Sequence, residues 1–431
     1  MKSTSKSGVF RPGNRMTFNQ RIHRYLTWLH RWTGLLMTVF LIVVGLTGAL
    51  LAFRTQIDRL LNPRLFASAQ PGQKPLDLAT LAERAEQQEP KARVGYFSID
   101  GDQVVIACGP RKDPATGKPY TLGFDHLYLS PYTGEVLGHR RHGDYSQLRL
   151  NFMPFIYDLH TSLVMGSTGG WILGITALVW TLDCFVGFYL TLPRGANGFW
   201  RRWRPAWLVK GSAGPFRLNF DLHRAGGLWF WVLLFLFAWS SVMLALLPVY
   251  ESVTKALFDY EPVDAMMAYV LPQPREHPRL GWHEAQAAGE RLTAELARSR
   301  GFTITRPYGL AYIVDFGVYS YDVRTSADIR GHGWDTGIWI DGDTGALKKV
   351  FLPSGQHTGN TISTWLWAIH YGDIRDWTPF RALVALFGLV VVMLSVTGGY
   401  IWWKKRGFRR HIAAQIRHHR TEQSAGAVAS R

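Results

Sequence analysis

Four stretches of this chain stay apolar for longer than the roughly 18 residues needed to span a bilayer: 35–53, 171–192, 226–247 and 381–403. Between the first two, and again between the last two, the pattern changes. Residues 75–90 and 283–300 place Leu and Ala at helical spacing, and alternating strand-like segments follow each. The pattern predicts a mainly α membrane protein with four transmembrane helices and an α+β domain in each long loop. The expected order is an N-terminal segment to residue 34, a first span at 35–53 and an α+β domain over 54–150. An interfacial segment at 151–170, a second span at 171–192 and a polar loop over 193–225 follow. The second half places its span at 226–247, its domain over 248–360, an interfacial segment at 361–380, the last span at 381–403 and a tail over 404–431.

The two halves repeat one another. Leu29-His30-Arg31-Trp32-Thr33-Gly34 leads into the first span and Leu222-His223-Arg224-Ala225-Gly226-Gly227 into the third, an offset of 193. Leu127–Val136 and Ile338–Leu347 each read as a strand, a Thr-Gly turn and the start of another strand, at an offset of 211. Gly187-Phe188-Tyr189 and Gly398-Gly399-Tyr400 share that offset, and His160 and His370 are 210 apart. Gly166, Gly169 and Gly170 lie between His160 and the second span, and Gly372 and Pro379 lie between His370 and the fourth. Such breakers separate each histidine from the span behind it, so each is expected on a short segment at the membrane face.

Charge sets the orientation. The formal net charge of +17 would raise nucleic acid as a partner, but its distribution excludes that. Residues 1–31, 193–224 and 404–431 hold 22 of the 48 basic residues and 2 of the 31 acidic ones, a net +20 against −3 for the remainder. All three lie on one side of a four-span chain, which the positive-inside rule makes the cytoplasm. Both termini are therefore expected there, with the long loops outside. Trp28, Trp32, Trp171, Trp377, Trp402 and Trp403 mark the interfacial belts. The first span follows a basic segment but is too long for a secretory h-region, so it is expected to stay attached. Cys108 and Cys184 fall in a loop and a span, which makes a disulfide between them implausible.

His30 and His223 fall on the inner side in this topology, and His160 and His370 on the outer. Neutral imidazole is a good axial ligand for haem iron, and two facing histidines hold a six-coordinate iron suited to electron transfer. The four are thus candidate ligands of two haems, with interfacial histidines facing headgroups as the other reading of each. Arg31 and Arg224 either pair with haem propionates or mark the basic inner face. Gly34 and Gly227 would let a flat macrocycle approach, unless they serve helix packing. His23 is an alternative ligand or a solvated histidine. His357 lies near the outer pair or at the surface. Asp183, inside the second span, is either functional, relaying a proton or pairing with arginine, or reaches water. His126, His139, His142, His277, His283 and His332 match no zinc spacing.

With these motifs the chain resembles the PepSY-associated transmembrane family of bacterial inner-membrane proteins, over most of residues 20–406. It is most similar to the siderophore-iron reductases of the ferrioxamine-reductase type. The resemblance implies periplasmic PepSY-like α+β domains, two b-type haems and a ferric siderophore as substrate. Neither a P-loop nor a dinucleotide-binding glycine motif is present, and the cytoplasmic parts are too short for a flavin or nicotinamide domain. The electron donor is then another protein, free reduced flavin or membrane quinol. A non-enzymatic alternative is an envelope interaction or sensor protein acting through its outer domains. A siderophore permease ranks below both, because the spans carry few polar residues beyond Asp183.

Overall fold

The computed structural model describes residues 17–68, 72–195, 197–333 and 335–429, excepting the side chains at 100, 409–414 and 416–429. Residues 1–16 of the expected N-terminal segment lie outside them. The first half runs α1 (Phe18–Leu51), α2 (Arg54–Leu61), α3 (Leu78–Gln88), β1 (Ala92–Asp100), β2 (Gln103–Pro110), β3 (His126–Leu129) and β4 (Val136–Arg140). Then come α4 (Phe152–Ser162), α5 (Gly166–Thr191) and a short α6 (Phe199–Trp203). The second half holds α7 (Pro215–Trp229), α8 (Trp231–Ala245), α9 (Leu247–Leu257), α10 (Trp282–Arg300) and β5 (Ile304–Ile313). It closes with β6 (Val318–Thr325), β7 (Thr336–Asp341), β8 (Leu347–Phe351), α11 (Thr358–Tyr371) and α12 (Thr378–Ala429).

Among the described residues, α1, α5 and α12 are long and apolar enough to cross a membrane. The pair α7 and α8 makes a fourth candidate span, bent by 71° at the break. Large apolar side chains lie open along these helices, Leu36 and Val39 on α1 and Leu386 on α12 among them. Such exposure suits hydrocarbon and not water. The protein is a membrane protein.

Three helix expectations need correction. The first helix starts at Phe18, not at 35, and so carries His23, His30 and Arg31 within it. Hydropathy marks only the part of a helix that sits in lipid, whereas the backbone ladder continues through the polar turns before it. The third span is not one straight helix over 226–247. It bends near Phe230, just after Gly226-Gly227, where two side-chain-free positions weaken the helical ladder. The fourth helix does not stop at 403 but continues to Ala429 through the expected tail.

A break follows each histidine as expected. The first lies between Ser162 and Gly166, ahead of the glycines, and the second between Tyr371 and Thr378. Gly169, Gly170 and Pro379 fall inside the helices that follow. Leu163 and Val164 take left-handed φ of 53° and 58° between α4 and α5. Arg375 and Asp376 do the same, at 47° and 59°, before α12. Non-glycine residues pay a steric cost there.

The expectation of two separate α+β domains is also corrected. All strands form one antiparallel sheet of order β4-β3-β2-β1-β5-β6-β7-β8. The halves join where Phe97 opposes Leu310 and Ser98 opposes Gly309. A Cβ at Gly309 would lie 2.9 Å from the Phe97 carbonyl oxygen, so glycine permits this close approach. Joining β1 to β5 pairs two edges that separate sheets would leave open. Helices α3 and α10 supply Leu78, Leu81 and Ala285 to a core with Phe97, Leu310 and Ile338 from the strands. Asp77 caps α3 by accepting from the Thr80 amide at 2.9 Å. The repeated Thr-Gly turns have left-handed glycines, Gly134 at φ 68° and Gly345 at φ 70°. Ser130 and Asp341 hold equivalent places, accepting from the Thr133 and Thr344 amides.

Packing divides the chain into two compact units. One comprises Met1–Val39, Val179–Phe235 and Met393–Arg431, and the other Phe40–Leu178 and Leu236–Val392, which includes the sheet.

Candidate functional site

The four histidines that the repeats single out meet in two pairs, each within one compact unit. His30 on α1 faces His223 on α7 with ring centres 6.1 Å apart and planes at 55°. His160 on α4 faces His370 on α11 at 6.3 Å and 63°. Two imidazoles on opposite sides of one metal, each bound at about 2 Å, have ring centres roughly 6 Å apart. Both spacings fit that arrangement.

The hydrogen bonds fix the tautomer. His30 Nδ1 donates to Asp183 Oδ2 at 2.9 Å, and Asp183 Oδ1 accepts from the Thr33 hydroxyl at 3.0 Å. His223 Nδ1 donates to the Leu394 carbonyl at 2.9 Å. His160 Nδ1 lies 2.9 Å from the Thr47 hydroxyl, which already donates to the Val43 carbonyl. His370 Nδ1 lies 2.8 Å from the Ser240 hydroxyl, which donates to the Phe237 carbonyl. A carboxylate and a carbonyl only accept, so Nδ1 of His30 and of His223 is a donor. At His160 and His370 the hydroxyl's one proton reaches a carbonyl of its own helix, which leaves Nδ1 free to donate there as well. The neutral rings therefore carry the Nε2 lone pair that a metal needs. Loss of hydration holds His160 and His370, which lie outside the spanning helices, below the ordinary imidazole value. The unprotonated ring is the ligating form.

Three glycines make room for these rings. A Cβ at Gly48 would stand 3.1 Å from His160, one at Gly398 3.1 Å from His223, and one at Gly187 3.4 Å from His30. By contrast, a Cβ at Gly34 or Gly227 would meet nothing within 4 Å among the described residues. These two glycines thus border open space, and helix packing does not explain them.

The remaining candidates fall out as follows. Arg31 lies 5.9 Å from the Trp32 ring centre, and its Nε is buried without a hydrogen-bond partner among the described residues. Arg224 donates to Asp221 and to the Pro205 carbonyl, yet its Nε is likewise buried and unpartnered. Each follows a paired histidine directly and retains a donor for an acidic group. His23 contacts Thr27 and Arg194, not either pair. His357 stands just before α11, where its side chain makes no cap, and bonds Asp259. Asp183 is neither paired with arginine nor turned to water; it holds His30. Cys108 and Cys184 are free.

Sequence reasoning missed the hydroxyl partners Thr47 and Ser240, although they stand at the same offset of 193 as His30 and His223. It set His332 aside for want of a zinc spacing, and so missed its two acidic partners: its Nδ1 lies 3.0 Å from both Asp373 and Asp376. Arg381 sits 3.1 Å from Asp376 and already supplies the positive charge in that cluster. A cavity of about 340 Å³ opens nearby, bordered by Arg54, Arg140, Arg381, His142 and Tyr371. Tyr371 follows His370 in the chain, with ring centres 6.0 Å apart.

A comparison with curated proteins finds no match to this sequence. The family model described as the PepSY-associated TM region matches residues 27–405, a span that contains all four paired histidines. The chain belongs to the PepSY-associated transmembrane family.

Proposed function

We propose that the protein is a di-haem oxidoreductase of the bacterial inner membrane. In this reading it is a ferric-siderophore reductase, passing electrons from a cytoplasmic or quinol donor to a ferric siderophore in the periplasm and releasing Fe(II). The observation that carries the proposal is the double pairing of histidines, each pair spaced so that it would admit one metal between its rings, with every Nδ1 hydrogen-bonded to a neighbour. Two b-type haems, when bound, supply iron that cycles between ferric and ferrous states.

The chain's own residues do the rest. His30 and His223 hold one haem, and His160 and His370 the other. Asp183, Leu394, Thr47 and Ser240 keep the imidazoles in register and in the ligating tautomer. Arg31 and Arg224 offer buried donors to the propionates of the first haem.

The charge split of +20 against −3 supports four spans in two repeats, with both termini cytoplasmic and the sheet domain periplasmic. His30 and His223 then serve the donor side, and His160 and His370 the acceptor side. The substrate class rests on resemblance to siderophore-iron reductases and on coordination chemistry. Hard oxygen donors hold Fe(III) more tightly than Fe(II), so one electron loosens the metal. The polar cavity beside Tyr371 supports approach of such an acceptor to His370.

The test is an absorbance spectrum of the purified protein, first oxidised and then reduced with dithionite. Six-coordinate haem bands should sharpen on reduction, and adding a ferric hydroxamate siderophore should reverse them while a ferrous chelator develops colour. A colourless protein would reject the reductase and favour an interaction or sensor protein acting through the sheet domain.

A further inference from the structure

The four tethers are not equivalent. His160 and His370 lie against neutral hydroxyls, and His223 donates to a backbone carbonyl. His30 alone donates to a carboxylate, that of Asp183, which is buried on α5 with 9% of its side chain exposed. The repeat makes the exception explicit. The residue 211 places after Asp183, at the offset that relates Gly187 to Gly398, is Leu394, which serves His223 through its main chain. One half of the duplicated unit thus carries a carboxylate where the other carries only a peptide group.

A carboxylate that accepts the Nδ1 proton pulls it from the ring and leaves the imidazole more anionic and more basic at Nε2. A more basic ligand favours ferric over ferrous iron, which lowers the reduction potential. We infer that Asp183 is a positioning residue that sets the haem held by His30 and His223 at a lower potential than the haem held by His160 and His370. The inference rests on the di-haem reading above. Electron passage from the first pair to the second is then downhill. With both haems bound, the transfer would oxidise the iron held by His30 and His223 by one electron and reduce that held by His160 and His370 by one, with no proton or bond changing hands. A quinol or reduced flavin, which gives up two electrons and releases its protons to water, would re-reduce the first in two successive one-electron turns.

Thr33 gives the inference a second handle. Its single hydroxyl proton is shared between the other oxygen of Asp183, at 3.0 Å, and the Leu29 carbonyl, at 2.9 Å, and the share directed at Asp183 withdraws charge from the carboxylate. Removing the carboxylate charge and removing this donor should move the potential in opposite directions. A purely structural strut between α1 and α5 would not produce opposite signs.

The experiment is a spectroelectrochemical titration of the full-length protein with its haems bound, comparing wild type, Asp183→Asn and Thr33→Val. Wild type should titrate in two steps. In Asp183→Asn the lower midpoint should rise toward the higher, and in Thr33→Val it should fall further, with the higher midpoint unmoved in both. If Asp183→Asn does not fold, the Thr33→Val shift alone decides. Two haems retained with unmoved midpoints, or a shift confined to the higher step, would overturn this inference and leave the di-haem reading standing. A wild-type protein without haem would overturn both.

Discussion

His160 and His370 face each other across 6.3 Å although 210 residues separate them in the chain. Each sits near the end of a short helix, and each is tied to a hydroxyl on a different helix, Thr47 on α1 and Ser240 on α8. The fold therefore converges on this pair from four directions. Changing either histidine to Ala should lower the haem content from two per chain to one and abolish reduction of a ferric siderophore supplied on the periplasmic side. The remaining haem should still be reduced by the donor. Ferrous-chelator colour in reconstituted vesicles, read beside the spectrum, checks both; full siderophore reduction in either variant would mean that electrons leave by another route.

The glycines that cradle the rings give a separate test. Gly48 already brings its backbone so close that a Cβ would touch His160 at 3.1 Å, and Gly398 does the same for His223. The branched side chain of Gly48→Val should displace His160 and cost one haem, and Gly398→Val should cost the other. Extracted haem, assigned by which midpoint disappears, distinguishes the two. Retention of both haems in either variant would contradict the packing.

The four paired histidines were legible in the sequence because duplication marks them twice, and a coincidence at matched offsets is hard to produce otherwise. The same repeat also placed Gly187 and Gly398, without saying that they make room for imidazoles. Asp183 stood out as an ionisable group in an apolar run, but its partner was hidden because His30 lies 153 residues away on another helix. The union of two domains into one sheet was invisible for a related reason. Strand periodicity reports which face of β1 is buried and not which strand lies beside it, so the pairing of Phe97 with Leu310 leaves no local trace. The early start of α1 and the bend between α7 and α8 escaped because hydropathy follows the lipid and not the backbone.

Stability of the sheet domain should depend on pH through Asp322. Burial raises its carboxyl to about 7 from an ordinary 3.8, opposed by the nearby Ser320 hydroxyl and Arg324. Between those values the folded chain binds more protons at this site than the unfolded chain. Its contribution is therefore fully present below about pH 4 and lost as the pH rises through about 7. At about 1.4 kcal/mol per pH unit, the loss is on the order of a few kcal/mol. The thermal midpoint of wild type should fall between pH 5 and pH 8, and Asp322→Asn should flatten that fall. An identical slope in the variant would remove Asp322 as its source.

Orientation can be read without any cofactor. A reporter active only outside the cytoplasm should be active when fused after Gly134 or Gly345, in the repeated turns of the sheet. It should be silent after Gly211 or at the C-terminus. The reverse pattern would invert the membrane sides of the two histidine pairs and with them the direction of electron flow.

The central claim, that each histidine pair holds one haem, is tested most directly by the ratio of extracted haem to protein in wild type and in His30→Ala, His223→Ala, His160→Ala and His370→Ala. The two pairings require two haems per chain in wild type and one in every single variant, with the same midpoint lost within a pair and different midpoints lost between pairs. Wild-type protein purified without haem, or variants that keep the full complement, would contradict it.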